Sequence, residues 1–119
     1  MLNEFIQFAK TKLNIEELPT FEFDNNVESA KSKRTMATYN PSEKHIWIYE
    51  NNRNLADVLR SIAHEMTHHR QNEKGELYAG AGEAGTDIEN EANSMAGVML
   101  REYGQINNEI YESTHQETR

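Results

Sequence analysis

From Leu55 to Glu73 the chain reads LADVLRSIAHEMTHHRQNE, and the periodicity of this stretch decides how the chain folds. Leu55, Leu59, Ile62 and Met66 recur at intervals of three and four. At about 100° per residue they fall on one side of a helix, while Asp57, Ser61, His64 and His68 fall on the other. Asn54 stands at the cap position, Asp57 at the third helical position completes a capping-box-like start, and Gly75 supplies a stop. The stretch is therefore predicted as an amphipathic helix over roughly 55–73, with its apolar side on a core and its two histidines turned away from it.

Upstream, Leu2, Phe5, Ile6, Ala9 and Leu13 also keep helical spacing, and Pro19 closes that segment. Phe21 and Phe23 alternate with polar neighbours as in a short strand, and 24–33 is polar and reads as an exposed loop. Thr35 to Tyr39 and His45 to Tyr49 read as strands joined by the turn chemistry of Asn40-Pro41-Ser42-Glu43, which predicts a hairpin. In the second strand Ile46 and Ile48 face one way and His45, Trp47 and Tyr49 the other, so both faces require cover.

Downstream comes a loop with Gly80, Gly82 and Gly85. Thr86 and Glu89 then form a capping box that opens a helix ending near Gly104. One domain over 1–104 is expected, followed by a polar tail over 105–119, since 119 residues suffice for a single core.

The chemistry lies on the polar side of the 55–73 helix. His64 and His68 stand one turn apart, where both imidazoles reach one ion at Zn–N distances of about 2.0–2.1 Å. Glu65 borders that face without being aimed at the ion. An ion held there lowers the pKa of a water molecule. The carboxylate can take the proton as that water attacks a polarised carbonyl, then deliver it to the leaving amine. This is the physical content of the H-E-x-x-H pattern that His64-Glu65-Met66-Thr67-His68 fits.

A catalytic zinc takes three protein ligands, so one more is required. Glu89 and Glu91 are the candidates. The apolar stripe of their helix is Ile88, Ala92, Met95, Ala96 and Met99. Glu89 flanks it slightly more closely, beside the small Ala92 and Ala96 that permit close helix approach. Spacing alone also gives Glu89 a plainer use, completing the capping box with Thr86. Asn93, one turn beyond Glu89, is placed either to support a ligand or to face solvent. His69 lies near the edge of the apolar stripe and reads as a packing or surface histidine, and His45 and His115 have no partner spacing.

Composition narrows the classes. There are no cysteines, so disulfides, thiolate ligands and a cysteine nucleophile are excluded together. The net charge is −8 and the twelve Lys and Arg are scattered, which disfavours nucleic acid as a partner. No apolar stretch approaches the roughly 18 residues of a membrane span, and the basic-then-apolar plan of a signal peptide is missing, so a cytosolic monomer is the expectation.

On these residues the sequence resembles the gluzincin, thermolysin-like branch of zinc metallopeptidases, in which a glutamate on a later helix completes the site. The likeness covers His64 to His68 and Ile88-Glu89-Asn90-Glu91-Ala92-Asn93-Ser94-Met95-Ala96. It implies His64, His68 and Glu89 as ligands of Zn2+ and Glu65 as the catalytic general base. Asn93, four residues after Glu89, would orient a ligating histidine, a spacing that Glu91 does not meet. The Glu-Asn-Glu-Ala-Asn run is also similar to small prokaryotic and phage-borne peptidases of the ImmA and IrrE type, which places the protein in the cytosol of a bacterium or a phage-infected cell.

The fold so implied is α+β, a minimal zincin-like domain. A small, mostly antiparallel sheet of about three strands packs with an N-terminal helix, an active-site helix and a glutamate helix. The strand His45 to Tyr49 would be the cleft edge that receives an extended peptide. The implied function is a zinc-dependent endopeptidase acting on a protein or peptide. A non-catalytic zinc-binding regulatory or interaction module and a phage peptidoglycan endopeptidase are the alternatives. The chain departs from larger members in lacking their second subdomain, and Tyr78 in the Gly-rich loop is the best candidate to stabilise the transition state.

Overall fold

Leu55–Glu73 forms one unbroken helix, α3, with the bounds its periodicity predicts. The structure is a computed structural model that describes residues 1–77, 86–107 and 110. The other elements are α1 (Leu2–Leu13), β1 (Thr20–Asp24), α2 (Val27–Lys33), β2 (Ala37–Asn40), β3 (His45–Tyr49) and α4 (Asp87–Ile106). The class is α+β, as expected.

Asn54 occupies the cap position of α3, but its side chain makes no capping hydrogen bond. The other end closes as glycine chemistry requires. Gly75 takes φ 71°, its N–H donates to Asn72 O at 3.0 Å, and Glu76 N donates to Gln71 O at 2.9 Å. Leu59, Ile62 and Met66 are fully buried, and so are Thr67 and Gln71 on other sides of the helix. This wider burial arises because α3 is the centre of the fold, packed by α4, α1, β2 and β3. The buried Thr67 hydroxyl is satisfied within the helix, donating to Ala63 O at 2.8 Å.

The sheet has the order β1-β3-β2 and is mixed rather than mostly antiparallel. β2 and β3 form the predicted hairpin. Its turn is held by Asn40, whose Oδ1 accepts from Glu43 N at 3.1 Å. β1 instead lies parallel to β3, Phe21 beside Ile46 and Phe23 beside Ile48. Residues 25–44 carry α2 and β2 between these two strands, long enough for the crossover that parallel pairing needs. β3 is thus the central strand and not an edge, contrary to the role implied for it above. This accounts for the burial of Ile46 and Ile48 on one face and of Trp47 and Tyr49 on the other.

The polar stretch expected as a loop contains α2. Asn26 caps it, its Oδ1 accepting from Glu28 N at 2.9 Å, and Glu28 and Lys31 face each other one turn apart. No residue of α2 is fully buried, so the hydrophobic periodicity that reveals the longer helices is missing here. Lys33, at its end, lies 5.0 Å over the Trp47 ring and helps cover the outer face of the sheet.

Below the sheet, Phe5 of α1 meets Tyr103 of α4 edge-on at 5.1 Å between ring centroids. α4 runs two residues past Gly104. Ile110 is fully buried in the core. No helix among the described residues is long and apolar enough to cross a membrane.

Candidate metal centre

The site forms where α3 and α4 meet. Thr86 caps α4, its hydroxyl accepting from Glu89 N at 3.2 Å. Ile88, Ala92 and Ala96 bury the stripe that lets α4 approach α3. The backbone of Glu89 therefore takes part in the cap while its carboxylate turns away to the histidines of α3. Glu89 Oε1 lies 2.8 Å from His64 Nε2, and Oε2 lies 3.2 Å from His68 Nε2. The two Nε2 atoms are 3.2 Å apart, and the rings stand edge to face at 83°.

These separations suit a common ion. Donors at 2.0–2.1 Å from a tetrahedral zinc lie about 3.3 Å from one another. The three residues are also the group of His, Asp or Glu among the described residues whose donor atoms gather within 4.8 Å. Two imidazoles and one carboxylate are the nitrogen and oxygen set of a catalytic zinc with an open position.

Gln71, which the H-E-x-x-H spacing does not single out, decides which atoms His68 offers. It is wholly buried. Its amide nitrogen donates to Ile88 O at 3.1 Å and to Glu91 Oε1 at 2.8 Å. That fixes the amide orientation, and its Oε1 then faces His68 Nδ1 at 2.8 Å and must accept from it. With the proton on Nδ1, neutral His68 presents a lone pair at Nε2. That lone pair points at a carboxylate and a second imidazole nitrogen, an arrangement a cation relieves. The only sequence signal for Gln71 is its place three residues after His68 on the same helix ridge.

If the three donors hold zinc, Gln71→Leu is expected to weaken its binding about 10- to 100-fold, the usual effect of losing an outer partner of a ligating histidine. Competition with a chromogenic chelator reads this directly. An unchanged affinity would mean that His68 is oriented by other means.

Asn93 also lies on the ligand face and hydrogen-bonds the His64 imidazole. Burial holds His64 below its ordinary pKa, against the pull of the Glu89 carboxylate, so its neutral form, the form able to bind a metal, prevails at pH 7. Glu91 goes elsewhere, to Gln71 and to Arg70 at 3.7 Å. His69 is buried and structural. Its Nδ1 meets the Tyr39 hydroxyl and its Nε2 meets Glu17 O, each at 2.7 Å, pinning α3 to β2 and to the α1–β1 connection. His45 pairs with Thr20 and Glu22 on the sheet surface. Tyr78 lies outside the described residues.

Glu65 is 8 % exposed, and no hydrogen bond or ion pair to another described residue holds its carboxylate. Burial, with the charge of Glu89 beside it, pushes its carboxyl up to about 8. A cation at the three donors would favour the carboxylate and reverse this shift.

A stability prediction follows for the metal-free protein. The folded state holds the Glu65 proton up to about pH 8, whereas the unfolded chain releases it near 4.5, so this group lowers stability as pH rises between those values. Glu65→Gln removes the effect. At pH 7 the metal-free variant should be more stable than the metal-free wild type by roughly 3 kcal/mol, with the gap closing near pH 4.5. Urea unfolding at the two pH values measures it, and equal stabilities at pH 7 would show that Glu65 is solvated rather than buried.

Compared with known family models, with curated proteins and with solved structures, the chain matches none.

Proposed function

We propose that this chain is a zinc-dependent endopeptidase that hydrolyses peptide bonds in a protein or peptide. The observation that carries the reading is the convergence of two imidazole Nε2 atoms and the Glu89 carboxylate, with Gln71 fixing the tautomer of His68. Zinc is the natural ion for two imidazoles and a carboxylate, and when bound it supplies Lewis acidity and an acidified water. His64, His68 and Glu89 would hold it.

The remaining chemistry belongs to the protein's own groups. Glu65 sits on the same helix beside the two histidines, with its carboxylate unengaged by other described residues. It takes the proton from the attacking water and returns it to the leaving amine. Gln71 and Asn93 keep the imidazoles in place through the turnover. A set of three ligands with a carboxylate beside it supports catalysis over a metal that only ties two helices together, because structural zinc sites take four protein ligands. Since β3 is paired on both sides, an extended substrate would add to the free edge of the sheet at β2, next to α3.

The test is cleavage of an unstructured protein such as casein by the zinc-loaded chain. Fragments that appear with zinc, vanish with a chelator and return on adding zinc back support the reading. Intact casein under all three conditions, together with release of cross-link peptides from purified cell wall, would move the substrate to peptidoglycan.

A further inference from the structure

We propose that the cleft between α2 and the N-terminal end of α3 is a docking site for an acidic, partly apolar segment of a protein substrate; this rests on the peptidase reading above. The cleft encloses about 470 Å³. One wall comes from α2 and the residues leading into β2, the other from the end of β3 and the connection to α3.

Its lining is apolar and exposed where a settled surface would be polar. Val27 and Met36 are 48 % and 49 % exposed, and both line the cleft. Apart from Ile106 they are the exposed large hydrophobic residues among the described ones. Tyr49 lines the cleft with them. An apolar lining left open beside a helix that buries none of its own residues fits an occupant of matching character.

Charge names the rest of that occupant. Lys31, Arg34 and Arg53 line the cleft and no carboxylate does, although the chain as a whole carries −8. Among the described residues neither Arg34 nor Arg53 is within ion-pair distance of a carboxylate. The pair between Lys31 and Glu28 is a loose 3.9 Å contact between exposed side chains. The Arg53 guanidinium is held instead by neutral acceptors, Tyr49 O at 2.7 Å, Asp57 O at 3.1 Å and Ser61 Oγ at 2.7 Å. It is a fixed positive charge, with the Asp57 carboxylate acting on it only through space. A basic, apolar cleft on an acidic protein selects an anionic partner and repels a second copy of the chain.

Arg53 ties the cleft to the helix that carries His64 and His68. Ser61, which Arg53 contacts, shares the polar face of α3 with His64 and lies three residues before it. That is a rise of about 4.5 Å along the helix. A peptide anchored by acidic and apolar side chains would therefore place its scissile bond a few residues farther along that face.

The test measures binding separately from cleavage. Three fluorescein-labelled decapeptides, alternating Glu with Leu, Gln with Leu and Lys with Leu, are titrated into the zinc-loaded protein by fluorescence anisotropy. The Glu/Leu peptide should bind at least tenfold more tightly than the other two and weaken with added salt. The double variant Lys31→Glu, Arg34→Glu should lose that preference while taking up zinc as the wild type does, since neither residue is near the three donors. Both residues are exposed, and an unchanged circular dichroism spectrum verifies the fold. Met36→Asp should weaken the same peptide independently.

Equal affinity for all three peptides, or a preference untouched by the charge reversal, would overturn the proposal. Tighter binding of a single-stranded oligonucleotide than of the Glu/Leu peptide would overturn it in favour of nucleic acid. A charge-dependent preference in a protein that cleaves nothing would keep the docking site and remove the peptidase reading, so the two fail separately.

Discussion

Glu65→Gln is expected to reduce peptide hydrolysis by about two to four orders of magnitude while leaving zinc bound at full stoichiometry. The magnitude is that of a lost general acid and base. The amide is nearly isosteric with the carboxylate but has no basic oxygen to accept a proton. The separation from metal binding follows from geometry. The three donors meet one another at 2.8 to 3.2 Å without any contribution from Glu65. The variant should also be more stable than wild type without metal at neutral pH, so lost activity cannot be assigned to unfolding. A variant with undiminished turnover would remove Glu65 from the mechanism. One that lost zinc as well would make it a ligand.

The second large effect concerns the ligands. His64→Ala, His68→Ala and Glu89→Ala should each weaken zinc binding by more than the roughly 100-fold upper range expected for an outer partner such as Gln71. Each removes an atom that would touch the ion rather than one that orients it. Metal bound only to the folded state stabilises it by mass action, about 4 kcal/mol when free zinc is a thousandfold above the dissociation constant. Wild type should therefore melt at a markedly higher temperature with zinc than without, and the three variants should show almost no such rise. Glu91→Ala is the control. Its carboxylate meets Gln71 and Arg70, so it should keep most of the zinc-dependent rise. If Glu91→Ala lost zinc and Glu89→Ala kept it, the assignment of the third ligand would be reversed.

How far the sequence discloses this depends on the range of the interactions concerned. α3 was legible to the residue because a long run of helical periodicity and a following glycine are local signals. The alternation in β3 likewise announced a strand covered on both faces. The order of the strands was not legible. Which strand lies beside β3 is settled by the path of residues 25–44 and by the packing of Phe21 and Phe23, neither of which leaves a local mark. α2 was missed because it rests on the Asn26 cap and surface pairs rather than on an apolar stripe.

At the site, the two histidines and Glu65 were evident from spacing, since one helix carries all three. Glu89 and Glu91 could not be separated by their wheel positions alone. They diverge in space because α4 crosses α3 so that one carboxylate meets the histidines and the other meets Gln71. Gln71 was overlooked because glutamine on a helix is ordinarily a solvent-facing residue. Its importance comes from full burial between two helices, and burial of that kind is decided by tertiary packing.

If α3 and α4 together hold one catalytic zinc, the purified protein carries a fixed metal content. The purified wild-type protein is dialysed against metal-free buffer and its zinc measured by elemental analysis, beside a sample first given zinc. About one zinc per chain, abolished in His68→Ala, is the predicted result. A protein that holds no metal and takes up none when zinc is supplied would rule out a zinc site, leaving His64, His68 and Glu89 as an ordinary ion-pair cluster between two helices.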